Sequence, residues 1–422
     1  MTVPLAPPAL SPTFDLDEGG IGWITFDDPE RALNVLGEGV MRAFGEALDE
    51  ARAAAREGRI HALVVRSGKR DSFIAGADID AIASLEDPVE AEAKIRLGQA
   101  VFADLAALPV PTVAAIHGVC VGGGLELALA CRHRVASDSK RTSFQFPEVM
   151  LGLLPAWGGT TRLPRLVGLQ ASLDMLLTGR KVDTRRAKRM GIVDQVLPAA
   201  LFQAKVREFV AGLPASAAHP RAGVLQALTG AVERSSIGRA AILAVAKRKV
   251  LASTGGHYPA PLGILDVLRK YGGRSVDESL AGEAREAAAL IVSPVCKSLI
   301  HVYYLREAAR KGTGVASAGV ATPEVATMGV LGAGVMGGGI AHLAADNGIR
   351  VYMKDIRHEA VTGGLQHAGS LFAKAVEMKR LTRREAAQRM ERIAGGLDFH
   401  GLATSALVVE AVVERMDVKK QV

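Results

Sequence analysis

Two glutamates and a run of glycines are the residues in this chain best placed to do chemistry. In the stretch Ile116 to Cys131 (IHGVCVGGGLELALAC), Gly122, Gly123 and Gly124 end a strand-like segment and open a short helix. The first N–H groups of a helix have no intrahelical acceptor, so those near Gly123 are free to face an oxygen carrying negative charge. Glu126 falls in the first turn of that helix, where the positive end of the macrodipole favours the ionised form. Taken alone, such a glutamate is also an ordinary helix-start charge, and such glycines an ordinary tight turn. Glu148 is the single acid of an apolar stretch, Phe146 to Leu154 (FPEVMLGLL). There a carboxylate either pairs with a basic partner or has a raised pKa suited to proton transfer, and both readings stay open. In Phe73 to Ile79 (FIAGADI), Gly76 and Ala77 form a small-residue turn before Asp78, either an ordinary loop or a second source of backbone N–H.

A different chemistry is written near the C-terminus. Gly332, Gly334 and Gly337 spell G-x-G-x-x-G after a predicted strand, Thr327 to Leu331, and at the start of a predicted helix, Val335 to Asp346. The first glycine allows the tight turn and the second lets a pyrophosphate approach the backbone. The third lets helix and strand pack closely, and the helix N-terminus supplies donors to the phosphates. Asp355 closes the next predicted strand, Arg350 to Lys354, where a carboxylate accepts both ribose hydroxyls of NAD and repels the extra phosphate of NADP. The spacing therefore predicts NAD over NADP.

The elements that must hold these groups alternate. Gly22 to Phe26, Ile60 to Arg66, Thr112 to His117 and His133 to Ser137 read as strands, with helical spacing at Val40 to Arg56 and Leu125 to Ala130, an α/β pattern. After about Ala199 the chain turns to alanine-rich helical stretches broken by Pro214, Pro220, Gly255, Gly256, Pro259 and Pro261. A helical block follows from Leu280 to Lys311, interrupted at Ser293 and Pro294. Gly312 to Pro323, poor in large apolar residues, reads as a linker. Leu407 to Val413 reads as one more strand. From Val325 onward there is room for about one βαβαβ half of a dinucleotide fold. No fixed-period repeat is apparent.

The 422 residues, 49% apolar and 23% charged, suit a multi-domain globular protein and exclude a disordered or disulfide-stapled one. Aromatics at 4% argue against a base-stacking nucleic-acid binder, and basic residues such as Arg185, Arg186, Lys188 and Arg189 are interleaved with apolar ones as on a helix face. The net charge of +7 suits a solvated basic surface or a phosphorylated ligand. Cys120, Cys131 and Cys296 show no metal-ligand spacing, so no metal is expected. Met1 to Thr13 lacks the pattern of a signal peptide, and Glu126 interrupts the longest apolar run, so the expectation is a cytoplasmic protein without a transmembrane segment.

From Gly20 to Val196, the segments AGAD, GGGLEL, FPE followed by LGLLPAWGGTTRLPRLVG, and LTGRKVD occur in the order seen in the crotonase (enoyl-CoA hydratase/isomerase) superfamily, which the chain resembles. The resemblance implies a crotonase-like spiral of ββα repeats over 14–198. It implies that the N–H groups of Ala77 and Gly123 form an oxyanion hole for a thioester carbonyl, with Glu126 and Glu148 as the acid/base pair. The stretches VLGAGVMGGGIAHLAADNGIRVYMKD and VVEAVVERMDVKK resemble the start of the 3-hydroxyacyl-CoA dehydrogenase NAD domain. That resemblance implies an incomplete Rossmann-like domain over 325–422, with Met336, Asp355, Glu414 and Lys419 lining the NAD site. The region 199–324 between them is expected to be a helical linker. The two resemblances in this order are the layout of α subunits of multifunctional fatty acid oxidation enzymes. They imply an enoyl-CoA hydratase of β-oxidation acting on a coenzyme A thioester, with Δ3–Δ2 isomerase activity from the same glutamates. A thiolase subunit and further copies of the chain are the implied partners. The alternative reading is an NAD-dependent 3-hydroxyacyl-CoA dehydrogenase, whose catalytic histidine the resemblance places beyond Val422.

Overall fold

The computed structural model describes residues 12–213, 233, 235–312, 324–378 and 380–422. The proline-rich start before residue 12, Pro214, Pro220 and the linker residues 313–323 lie outside them. The chain divides into two compact units, one ending at Lys311 and one beginning at Gly312.

The first unit carries strands β1 (Thr13–Leu16), β2 (Ile21–Phe26), β3 (Ala62–Ser67), β4 (Ser72–Ile74), β5 (Thr112–Ile116), β6 (Val119–Val121), β7 (His133–Ser137), β8 (Ser143–Gln145), β9 (Val182–Asp183) and β10 (Gln195–Leu197). They form a six-stranded sheet, β1-β2-β3-β5-β7-β10, and a four-stranded sheet, β4-β6-β8-β9. Only β1/β2 and β8/β9 are antiparallel. Strand pairs β3–β4, β5–β6 and β7–β8 each place their first member in the large sheet and their second in the small one, the ββα spiral expected from the resemblance.

The large sheet is covered on both faces, as parallel sheets are, and its strands alternate between two cores. Leu63 and Val65 face one cluster with Ile24, Phe26 and Phe44, while Ala62 and Val64 face another with Trp23, Phe202, Val206 and Val210. Around the sheets lie α1 (Glu38–Arg56), α2 (Ile79–Ala83), α3 (Pro88–Ala106), α4 (Gly123–Ala130), α5 (Gly159–Val167), α6 (Leu169–Thr178), α7 (Thr184–Met190) and α8 (Phe202–Ala211). Helix α1 forms because Ala43, Phe44, Ala47, Leu48, Ala51 and Ala54 recur at helical spacing on one buried face.

The later helices α9 (Ser236–Thr254), α10 (Pro259–Tyr271), α11 (Val276–Ile291) and α12 (Pro294–Lys311) belong to this same unit. The contacts thus divide the chain at Lys311, where the sequence reading set all of 199–324 apart as a linker. The physical reason is apolar: Leu243, Ile264, Leu268, Ala287, Leu290 and Ile300 join the core cluster that holds β2 and β3. The bare face of Gly282 admits Tyr271, whose ring would lie 2.3 Å from an added Cβ.

The second unit comprises β11 (Thr327–Leu331), α13 (Val335–Asp346), β12 (Arg350–Lys354), α14 (His358–Glu377), α15 (Arg383–Met390), β13 (Ile393–Gly396), β14 (Leu407–Glu410) and α16 (Met416–Lys419). Its sheet is parallel throughout, in the order β13-β12-β11-β14. The strand order reverses beside β11, and at such a switch point an open α/β sheet leaves a ligand crevice beyond the strand ends.

Candidate active site

Three parallel neighbours of the small sheet, β4, β6 and β8, deliver the site residues of the first unit. The turn after β4 holds Ala77, β6 runs into α4 with Gly123 and Glu126, and β8 runs into the 3-10 turn Pro147–Leu151 with Glu148. Because β4 pairs with β6 and β6 with β8, their C-terminal ends emerge side by side. The sequence gives no period to strands of three residues, so their pairing was not foreseen.

The first two turns touch. A Cβ on Gly76, which has φ +101°, would lie 3.3 Å from the Val121 carbonyl oxygen and 3.7 Å from the Gly123 nitrogen. Leu36 donates to the Gly76 carbonyl and accepts from Asp78 N–H, a parallel bridge that turns the N–H of Ala77 away from Leu36. Gly123 is the first residue of α4, so its N–H also lacks a helical acceptor. The cap, Gly122, has φ 53° and ψ −130°, a conformation open in practice only to glycine. A Cβ there would come within 2.5 Å of Glu148 Oε1, so the Glu148 carboxylate rests on the bare glycine.

Glu126 is buried and Glu148 half-buried, with its Oε2 shut away from solvent. Glu126 is 2% exposed, and its Oε1 accepts from the backbone N–H of Trp157 and of Gly159, each at 2.7 Å. Burial, then the charges of Glu148 and Glu283, push its pKa well above the usual carboxylate range, against the pull of those two N–H groups. Burial raises Glu148 to about 8, and its Oε2 is buried without a hydrogen-bond partner. Of the two readings left open for Glu148, basic partner or raised pKa, the structure favours the second. The Trp157 ring packs on Gly123, whose Cβ would lie 2.8 Å from Cζ3, and meets Phe102 edge-on at 5.6 Å between centroids.

Several supporting residues were missed in sequence. Glu283 of α11 accepts from Gly158 N–H at 2.6 Å and from the hydroxyls of Thr160 and Thr161. Arg162 donates to the Trp157 carbonyl at 2.7 Å. Lys297 of α12 donates to the Ile82, Ala83 and Leu85 carbonyls, and Tyr304 to Asp80, tying α12 to the helix that follows Ala77.

In the second unit, the glycine-rich turn has its expected form. Gly332, with φ +97°, lies against the Ala411 carbonyl after β14, and a Cβ on Gly337 would lie 1.9 Å from the Gly332 carbonyl oxygen. Gly334 meets nothing within 4 Å, so one side of the turn is open, and Met336 is 71% exposed beside it. Asp355 Oδ2 accepts from Ala333 N–H at 2.8 Å, which ties the carboxylate to the turn. Lys419 pairs with Glu410 at 2.8 Å and with Glu414 at 3.0 Å. Among the described residues no cluster of His, Cys, Asp and Glu has the arrangement of a metal site, and no single helix is long and apolar enough to cross a membrane.

Residues 17–251 match the family model described as enoyl-CoA hydratase/isomerase. The chain belongs to the enoyl-CoA hydratase/isomerase family. Residues 327–422 match the model for the NAD-binding domain of 3-hydroxyacyl-CoA dehydrogenase. This family member is 38% identical to the fatty acid oxidation complex subunit alpha of Shewanella amazonensis over 98% of its own length, and 38% identical to that of Shewanella baltica over the same share. It spans 58% of the length of each. A solved carnitinyl-CoA dehydratase from Mycobacterium thermoresistibile has the same fold, with TM-score 0.54 and 23% identity over 70% of this chain and 89% of that one.

Proposed function

We propose that the first unit adds water across the double bond of a 2-enoyl-CoA thioester to give a 3-hydroxyacyl-CoA. The observation that carries this is the convergence of the β4, β6 and β8 strand ends, which sets two turns with unused N–H groups beside the carboxylates of Glu126 and Glu148. The thioester oxygen takes the N–H groups of Ala77 and Gly123. Negative charge grows on that oxygen as water attacks C3, and each preorganised donor is worth about 3 kcal/mol in such a site. With both pKa values raised, the Glu126–Glu148 pair retains a proton near neutrality, so one carboxylate takes a proton from water while the other, protonated, supplies C2. The oxygen and one hydrogen of water end on C3, and the proton balance closes within the pair. The same two groups moving a proton between C2 and C4 would give Δ3–Δ2 isomerase activity.

The groups of the second unit fit NAD: an open face at Gly334, a helix N-terminus, and Asp355 fixed at the end of β12 to accept ribose hydroxyls. Gly332 and Gly337 shape the turn, and Met336, Glu414 and Lys419 line its approaches in this reading. NAD, when bound, supplies a hydride acceptor for a 3-hydroxyacyl thioester, the product of the first unit. Association with a thiolase subunit, self-association and a cytoplasmic location complete the proposal.

The test follows loss of the conjugated enoyl-thioester absorbance of 2-butenoyl-CoA with wild type, Glu126→Gln and Glu148→Gln. Hydration by wild type and loss of at least a hundredfold in both variants is expected. Equal rates in all three proteins refute the assignment.

A further inference from the structure

Glu283 is completely buried on α11, more than 120 residues along the chain from the Thr160 and Thr161 hydroxyls it accepts from. The mechanism above does not use it. Its Oε1 takes the Gly158 N–H and its Oε2 the two hydroxyls, three donors from one turn. That turn is the one whose flanking amides, Trp157 and Gly159, both converge on Glu126 Oε1. Burial raises the Glu283 carboxyl to about 7, and above that pH it is a charged acceptor whose three hydrogen bonds are strengthened, a strong clamp on the turn.

We propose that Glu283 is a positioning residue of the hydration site, holding the Trp157–Thr161 turn so that two backbone amides fix the Glu126 carboxylate. This rests on the reading of Glu126 and Glu148 as the hydration pair. The charged groups facing this cluster are Glu148 from the 3-10 turn and Arg162 and Arg165 from α5. Just after α4, Cys131 faces Arg162 as a neutral thiol, burial pushing it up to about 12, and α3 contributes the uncharged Gln99, which donates to the Ala156 and Leu280 carbonyls. Glu283 is a second negative neighbour of Glu126, and Arg162 is a positive neighbour of both. Removing the Glu283 charge lowers the Glu126 pKa, by lost repulsion and by leaving Arg162 less neutralised; slackening of the Trp157 and Gly159 amides acts the other way but is the smaller cause, so the net change is a fall.

The experiment uses the full chain. In ligand-free protein labelled with 13C at glutamate side-chain carboxyls, the Glu126 signal is assigned by its loss in Glu126→Gln and its titration midpoint is compared between wild type and Glu283→Gln. The midpoint is expected to fall by about one pH unit, the usual size for loss of one near like charge. In 2-butenoyl-CoA hydration, kcat should fall about tenfold while KM stays within about twofold, the signature of a misplaced catalytic group rather than lost binding. Thr161→Val keeps the charge and removes one donor, so a smaller fall in kcat with a midpoint shift less than half as large is expected. Coincident Glu126 midpoints in wild type and Glu283→Gln overturn the proposal, as does unchanged kcat in a folded variant. If Glu283→Gln does not fold, a Thr161→Val protein with wild-type kcat overturns it. Because the titration is read without substrate, it decides on Glu283 even if wild type fails to hydrate, which instead sinks the functional reading.

Discussion

Replacing Glu148 by Gln should remove activity and make the first unit increasingly stable relative to wild type as pH rises from 5 to 8. In the folded chain Glu148 is half-buried, its Oε2 is shut away from solvent without a partner, and its pKa is raised to about 8. Unfolded, it returns to about 4.3. The native state therefore binds a proton that the unfolded state has released over this interval. The stability this represents is complete below the unfolded value and is lost as pH rises through the folded one. At 1.36 kcal/mol per unit, wild type loses about 3 kcal/mol at this position between pH 5 and pH 8, whereas glutamine loses nothing. The pH-independent cost of burying an amide cancels when the two pH values are compared. Both tryptophans, Trp23 and Trp157, lie in the first unit, so urea unfolding followed by tryptophan fluorescence reports on that unit. The advantage of Glu148→Gln over wild type should grow by about 3 kcal/mol from pH 5 to pH 8. Parallel stability curves for the two proteins over that range refute the burial argument.

Gly122→Ala sets a methyl against the Glu148 carboxylate in a backbone conformation that costs an alanine about 1–3 kcal/mol, so hydration should fall at least tenfold and the thermal midpoint should drop. Asn34 donates from Nδ2 to Phe26 O, Ser67 Oγ and Phe73 O beside the Leu36–Ala77 bridge, and Asn34→Ala should cost about 2–4 kcal/mol in urea unfolding. In the second unit two glycines separate packing from binding. Gly337→Ala meets the Gly332 carbonyl and should lower the thermal stability of that unit. Gly334→Ala meets open space and should leave stability unchanged while weakening NAD at least tenfold in a fluorescence titration. Equal NAD affinity of Gly334→Ala and wild type would remove the phosphate site from that turn.

Where structure is governed by near neighbours, the sequence was sufficient. The elements Thr327–Leu331, Val335–Asp346 and Arg350–Lys354 are found at the residues read from apolar runs and glycine stops, and the helix at Glu38–Arg56 follows from its apolar stripe. The G-x-G-x-x-G turn and Asp355 were legible because strand, turn and helix are contiguous. Glu126 and Glu148 stood out as lone acids among apolar residues, while their roles came only from resemblance. Tertiary structure decided the rest. The strands Ser72–Ile74, Val119–Val121 and Ser143–Gln145 are too short to show a period, yet their pairing brings the site together. The helices after Ala211, read as a linker, are core because the stripe each presents finds its complement only on other helices of the folded unit, α3, α5 and α6 among them. Glu283 looks in sequence like any helical glutamate; burial and three donors distant along the chain make it a clamp. Local propensity is encoded within a few residues, whereas proton affinity and hydrogen-bond partnership depend on what the completed fold excludes from water.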